Sequence, residues 1–138
     1  MTVLVIDGQG GSLGRQIVKM ICERFSALEV IAIGSNSIAT ANMLKGGAVR
    51  GATGENAVCV AARRADVIIG PVGIVIADAL LGEITKEMAA AVGQSRAMRI
   101  LIPMNKCDSL VAGVSELPTA ALIEDAMQKL EKILSARA

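Results

Sequence analysis

The chain contains no histidine, no tyrosine and no tryptophan. Mechanisms that need a histidine base, a Ser-His-Asp triad, a histidine metal ligand or a tyrosine acid are therefore excluded. Any catalysis would have to use Asp, Glu, Lys or Cys side chains. Phe25 is the single aromatic residue of the sequence, which also excludes a stacking platform for single-stranded bases.

Charge of one sign and long apolar runs are also lacking. The 14 basic and 13 acidic residues give a net charge of +1 without a basic run, so we expect no nucleic-acid partner. The longest apolar stretch, residues 71–81, is interrupted by Asp78 and is too short to span a bilayer. The first residues lack the basic and apolar regions of a signal peptide. We therefore expect a cytoplasmic protein with no membrane partner.

Cysteine is scarce as well. Cys22, Cys59 and Cys107 are widely spaced and form no Cys-x-x-Cys pair. This pattern is typical of a reducing compartment and argues against a disulfide framework and a structural zinc site. Hydrophobic residues make up 53% of the 138 residues, which is enough for a buried core. With no linker or internal repeat, residues 1–138 are expected to form one domain.

Apolar runs typical of buried parallel strands alternate with helical patterns along the chain. This alternation predicts an α/β fold, a Rossmann-like three-layer α/β/α sandwich around a mostly parallel sheet of five to six strands. The predicted strands cover residues 3–6, 29–33, 48–50, 66–69 and 99–102, with 110–114 as the sixth, and predicted helices include 55–64, one or two within 73–94, and 119–134.

A glycine-rich loop, residues 8–14, separates the first strand from the first helix, with the spacing Gly-x-x-Gly-x-x-Gly and an additional glycine at Gly10. Glycines allow a tight turn and close approach of a pyrophosphate, which would meet free N–H groups at the positive end of the helix dipole. We predict that the loop binds a nucleotide or dinucleotide. The alternative is a tight turn that holds no ligand. The predicted binding residues are Gly8, Gln9, Gly10, Gly11, Ser12, Leu13 and Gly14.

Polar side chains follow the predicted strands at the edge where open α/β sheets bind ligands. Ser35 and Asn36 could hydrogen-bond a ribose and are predicted to bind the cofactor together with the loop. Asp7, with Glu55, either binds Mg²⁺ or contacts a cationic or hydroxyl group; alternatively it caps the loop through the loop's own N–H groups. Lys106 either meets a phosphate or carboxylate or is a solvated loop lysine. Further candidates for the ligand cleft are Ser37, Thr53, Asn56 and Asn105.

Residues 3–70 resemble the first half of the NAD(P)-binding atypical short-chain dehydrogenases and NAD-dependent epimerases. The matching pieces are the glycine-rich loop, Gly14-Arg15, Val49-Arg50-Gly51 and residues 65–69. The resemblance implies an NAD(P) cofactor with its pyrophosphate on Gly8, Gly11 and Gly14. The chain departs from the pattern because no acidic residue ends the second strand, the Tyr-x-x-x-Lys motif is absent, and the substrate-binding half is absent. Hydride transfer by that route is excluded.

The whole chain more closely resembles a family of short bacterial proteins of unknown function with a Rossmann-like fold. The phrases that carry this resemblance are residues 6–11, 35–40 and 51–56. It implies no activity, so whether the chain is an enzyme, and which residues would be catalytic, stays open.

Residues 72–82 are apolar on nearly every face, and a helix of that kind must be buried. Because a small domain has little room to bury it alone, we predict that this segment contributes to a homodimer or larger homo-oligomer. Three functions are compatible with the sequence. They are a nucleotide-binding protein or small enzyme, a sensor or accessory subunit that binds a ligand without converting it, and an assembly protein with a ligand-free glycine turn.

Overall fold

The computed structural model describes residues 1–104 and 108–137. Within these residues, five strands form one sheet in the order β3-β2-β1-β4-β5, and every neighbouring pair is parallel. The predicted α/β fold is confirmed, and the architecture is that of a Rossmann-like three-layer sandwich. The strands are β1 (Thr2–Asp7), β2 (Glu29–Gly34), β3 (Arg50–Thr53), β4 (Val67–Pro71) and β5 (Met98–Ile102), and the helices are α1 (Ser12–Arg24), α2 (Ser37–Lys45), α3 (Glu55–Arg64), α4 (Lys86–Gln94) and α5 (Thr119–Arg137).

Helices cover both faces of the sheet, and each face has its own apolar core. The α1 face packs strand residues against α1, α2 and α5, and the α3 face packs them against α3 and α4. Side chains alternate along β1, so that Val3 and Val5 enter the first core while Leu4 and Ile6 enter the second. Burial on both faces explains why β1 is a continuous apolar run.

The strand order places a topological switch point between β1 and β4. From β1 the chain moves outward through β2 to β3, then returns to β4 on the other side of β1 and continues to β5. The connections that follow β1 and β4 leave in opposite directions, which opens a crevice at the carboxyl ends of these strands. The glycine-rich loop and the segment after β4 both begin there.

The segment between β4 and α4 is less helical than the sequence indicates. A 3-10 turn covers Val72–Val75, and a series of turns leads to α4 at Lys86. The apolar side chains of Ile74 and Leu80 are buried in the core of the α3 face of the same chain, whereas Leu81 is 97% exposed. The chain therefore buries most of this segment by itself, and the predicted oligomer stays a prediction.

Two strand predictions need correction. The predicted third strand, residues 48–50, is displaced because β3 begins at Arg50 and pairs with the second half of β2 as far as Thr53. The predicted sixth strand, residues 110–114, is wrong. These residues are exposed, Leu110 is 94% exposed, and Gly113 has a φ of +79°. An apolar run without a neighbouring strand or a core to cover it does not form a ladder.

Helix α5 closes the α1 face as its amphipathic pattern predicts. Ile123, Ala126, Met127 and Leu130 are buried on its inner side. Its outer side carries ion pairs, one of them between Lys129 and Asp125 one turn apart. With 19 residues α5 is the longest helix in the described ranges, and no helix there is both long and apolar enough to cross a membrane.

Candidate functional site

The carboxylate of Asp7 holds the glycine-rich loop from the α1 face of the sheet. Its Oδ1 accepts a hydrogen bond from the N–H of Gly8 at 2.8 Å, and its Oδ2 accepts one from the N–H of Gly14 at 2.7 Å. Asp7 is 3% exposed. Burial raises the pKa of this carboxyl group, the two N–H groups act in the opposite direction, and the charge of Glu83 adds to the increase. Both oxygens are engaged by backbone, so the geometry favours the capping alternative.

Two glycines of the loop are required by the packing of α1 against α2. Gly11 has a φ of +74°, and a Cβ at this position would lie 2.6 Å from Cα of Ala39. A Cβ at Gly14 would lie 2.5 Å from the sulfur of Met43. At Gly10, by contrast, a Cβ would meet nothing within 4 Å. Gly11 and Gly14 are therefore structural, whereas Gly10 faces open space.

Glu83, which the sequence analysis missed, joins the loop to the end of β2. Its Oε1 accepts hydrogen bonds from the N–H of Gln9 at 2.9 Å, the hydroxyl of Ser35 at 2.6 Å and the amide nitrogen of Asn36 at 2.7 Å. Gly8 lies beside this cluster, where a Cβ would approach Ser35 Oγ to 2.5 Å. The carboxylate of Glu83 thus lies between the glycine-rich loop and the two residues predicted to contact a ribose, Ser35 and Asn36.

Hydrogen bonding keeps Glu83 ionised. Burial raises the pKa of its carboxyl group, but the hydrogen bonds from Ser35, Gln9 and Asn36 outweigh burial and leave the pKa below its usual value. At neutral pH the site therefore contains a carboxylate at Glu83.

The backbone that carries Glu83 explains why sequence patterns do not find it. Asp78, Leu80 and Leu81 have φ values of +67°, +57° and +56°, in a region that residues other than glycine seldom adopt. Such a series of turns has neither the strand nor the helix periodicity. Glu83 is also 74 residues from Gln9 in the sequence. The available signal is its place after β4, at the carboxyl edge of the sheet.

Asn36 ties the two predicted binding segments together. Its Nδ2 donates to the carbonyl oxygen of Gln9 at 2.9 Å as well as to Glu83, and its Oδ1 accepts from the N–H of Ala39 as the N-cap of α2. Ser35 is also fixed, because its N–H donates to the carbonyl oxygen of Asp7. The structure therefore brings Ser35 and Asn36 against the glycine-rich loop.

Three N–H groups of the loop remain for a ligand. Carboxylates accept from Gly8, Gln9 and Gly14, and the carbonyl oxygen of Gly8 accepts from Gly11. Within residues 1–104 and 108–137 no acceptor engages the remaining N–H groups, which belong to Gly10, Ser12 and Leu13. The side chain of Leu13 is buried in the core, so this residue would contribute its backbone alone.

The remaining candidates lie further from the loop or outside the description. Thr53 pairs its hydroxyl with that of Thr40 at 2.8 Å. Ser37 is exposed in the first turn of α2, and Glu55 and Asn56 are exposed in the first turn of α3. In the part of the chain that the structure describes, no hydrogen bond joins Glu55 to Asp7, and no three acidic or cysteine side chains are grouped to hold a metal ion. The candidates outside the described residues are Asn105 and Lys106, and Cys107 lies there too.

A groove of about 540 Å³ runs over β2 and β3 on the α3 face. Ile31, Ile33 and Ala52 give it an apolar floor, and Thr53 and Asn56 line its carboxyl end. At its carboxyl end, Thr53 pairs with Gly34, the last residue of β2.

A family model described as a domain of unknown function (DUF3842) matches residues 2–135. No curated protein and no solved structure matches the chain. The sequence analysis predicted that the whole chain resembles a family of unknown function, and this match over residues 2–135 confirms that prediction.

Proposed function

The chain belongs to the DUF3842 family, whose description names no activity, and we propose that it binds a nucleotide or an NAD(P)-like dinucleotide at the glycine-rich loop. The protein would act as a sensor or accessory subunit, or as a small enzyme. The observation that carries the proposal is the set of free N–H groups on Gly10, Ser12 and Leu13. They lie at the N-terminus of α1, where backbone donors and the helix dipole favour a phosphate.

The neighbouring surfaces match the other parts of a nucleotide. Beside the loop, Ser35, Asn36 and Glu83 keep acceptor capacity for a ribose hydroxyl, since the protons of Ser35 and Asn36 are already donated to Glu83 and Gln9. Beyond Ser35, the apolar floor of the groove at Ile33 and Ala52 suits a base. Phosphate, sugar and base would thus lie near the carboxyl edge of the sheet, which is where open α/β folds bind ligands.

A structural role with a ligand-free glycine turn is the second candidate. Asp7 and Glu83 already hold the loop by accepting hydrogen bonds from Gly8, Gln9 and Gly14. Two carboxylates so close to the loop also oppose a bound phosphate. A Mg²⁺ ion that arrives with the nucleotide would offset this repulsion, so magnesium is a variable of the test.

The test is a thermal-shift panel with NAD, NADH, NADP, NADPH, FAD, ATP, AMP and inorganic phosphate, with and without Mg²⁺. A ligand present at about 100 times its Kd stabilises the folded state by about 2.7 kcal/mol. For a chain of 138 residues this corresponds to a rise in Tm of about 5–10 °C. No shift with any of these ligands would favour the structural role.

A pair of glycine variants locates the site. Gly10→Val adds methyl groups to the rim of the loop, where a Cβ meets no protein atom within 4 Å, so the fold is kept while phosphate approach is blocked. Gly93→Val makes the same change in α4, also without a contact within 4 Å. We expect the nucleotide shift to be lost in Gly10→Val and kept in Gly93→Val. A shift that survives in Gly10→Val would contradict the phosphate position.

A homodimer or larger homo-oligomer through residues 72–82 is a separate part of the proposal. Leu81, which is 97% exposed, is the side chain of this segment that an interface would cover. Light scattering at micromolar concentration is expected to give at least a dimer. A monomer under these conditions would contradict the oligomer without bearing on the nucleotide site.

A further inference from the structure

We infer that Glu83 is a specificity-determining residue, which selects a nucleotide whose ribose carries a free 2′-hydroxyl and rejects one that carries a 2′-phosphate. The inference rests on the proposed function, because it assigns a sugar contact within that nucleotide site. The inference goes beyond the proposed function by naming the class of nucleotide that the site would select.

The first argument is the unequal use of the two carboxylate oxygens. All three protein donors, from Gln9, Ser35 and Asn36, converge on Oε1 of Glu83. In the described part of the chain no hydrogen bond reaches Oε2. An ionised carboxylate has about four lone-pair sites, so Oε2 keeps its capacity to accept. A ribose hydroxyl could donate a hydrogen bond to Oε2. The negative charge of the carboxylate would strengthen that hydrogen bond.

The second argument is the uncompensated charge of Glu83. The ion pairs recorded among the described residues join other groups, such as Arg24 with Glu124 and Arg50 with Glu29. Asp7 lies close enough for the charge of Glu83 to raise its pKa. A 2′-phosphate at this position would therefore meet negative charge that no cation of residues 1–104 or 108–137 pairs with, whereas a hydroxyl would add no charge of its own.

The third argument is that Glu83 is held in place. The residues around it, Leu80 and Ile84, are 6% and 0% exposed in the core of the α3 face. The N–H of Glu83 donates to the carbonyl oxygen of Leu80, and that of Ile84 donates to the carbonyl oxygen of Ala79. The buried side chains of Leu80 and Ile84 thus anchor the backbone on either side of Glu83, and the three hydrogen bonds to Oε1 hold its side chain.

Glu83 places a carboxylate at the end of β2, an end that has no acidic residue of its own. The end of β2 presents Ser35 and Asn36 and no acidic residue. Glu83 brings a carboxylate to the same place from the segment after β4 and binds both of those side chains. The acidic residue that would recognise the ribose thus comes from the segment after β4 instead of from the end of β2, and both lie at the carboxyl edge of the sheet.

The experiment compares the Kd values of NAD and NADP, which differ only by the 2′-phosphate, in the wild type, Glu83→Gln and Glu87→Gln. If AMP binds more tightly than NAD, AMP and adenosine 2′,5′-bisphosphate replace that pair. The amide oxygen of Glu83→Gln can still accept from Ser35 and Asn36, so we expect the fold to be kept while the charge is removed, and circular dichroism melts of the variant test this. Glu87→Gln removes an exposed charge from α4 and is the matched control.

We expect the wild type and Glu87→Gln to prefer the 2′-hydroxyl ligand by about tenfold or more, and Glu83→Gln to lose most of this preference by gaining affinity for the 2′-phosphate ligand. Binding of both ligands without preference, or a preference unchanged in Glu83→Gln, would overturn the inference and leave the proposed function intact. Tighter binding of both ligands by Glu83→Gln would also overturn it, since Glu83 would then compete with the nucleotide. No binding of any nucleotide would overturn both.

Discussion

Replacing Gly11 with alanine is expected to destabilise the protein far more than the same change at Gly10. With a φ of +74°, Gly11 is in the left-handed region, which costs a residue with a Cβ about 1–2 kcal/mol. The new Cβ would also lie 2.6 Å from Cα and 2.9 Å from the carbonyl oxygen of Ala39. Because these are backbone atoms of α2, helix packing must shift, at about 1–3 kcal/mol. The expected loss is about 2–5 kcal/mol.

The assay is thermal and urea unfolding followed by far-UV circular dichroism, since the chain has no tryptophan or tyrosine to report by fluorescence. An unfolding entropy of about 2.1 cal/mol/K per residue gives about 290 cal/mol/K for this chain, so Tm should fall by roughly 7–17 °C in Gly11→Ala. Gly10→Ala, which meets no atom within 4 Å, should stay within about 0.5 kcal/mol of the wild type. A Gly11→Ala protein that melts within about 2 °C of the wild type would refute the close contact between the loop and α2.

Two further predictions concern stability. Asp7→Asn keeps one acceptor oxygen for the two N–H groups of Gly8 and Gly14, so the free energy of unfolding at pH 7 should fall by about 1–3 kcal/mol. Since the folded-state pKa of Asp7 is raised, the part of the stability that depends on its protonation is fully present below the unfolded pKa and is lost as pH rises through the folded pKa, while the hydrogen bonds from Gly8 and Gly14 remain. The difference between wild type and Asp7→Asn in urea unfolding should therefore shrink as pH rises, and a growing difference would contradict the assignment. Gly93→Ala, at an exposed position of α4 with open space around it, should raise the free energy of unfolding by about 0.5–1 kcal/mol, and a lower Tm would count against that description of α4.

The central strands could be predicted because burial on both faces makes them continuous apolar runs. β1, β2 and β4 lie within two residues of the predicted limits. β3 differs because all four of its residues are exposed, and its strand character comes from pairing with β2 instead of from an apolar run. Residues 110–114 have the apolar run without a partner strand, which is why a local pattern alone predicts a strand there wrongly.

The candidate site could be predicted where it depends on local chain geometry. The glycine-rich loop and the residues after β2 follow from a strand that ends at the carboxyl edge, and the structure places Ser35 and Asn36 against the loop. Glu83 could not be predicted in this way, because three left-handed residues place it, and its partners are distant in the sequence. The same turns explain why residues 73–94 are less helical than their apolar composition indicates.

The most direct test of the nucleotide site is a titration of ¹⁵N-labelled protein with the ligand that gives the largest thermal shift, followed by amide chemical shifts. The account predicts the largest changes at Gly10, Ser12 and Leu13, with further changes at Ser35 and Asn36. Binding of a phosphate at the N-terminus of α1 would perturb the N–H groups of Gly10, Ser12 and Leu13 first, because no acceptor among the described residues engages them. Saturating ligand that leaves these amides unchanged, or moves amides elsewhere on the chain instead, would contradict nucleotide binding at the glycine-rich loop.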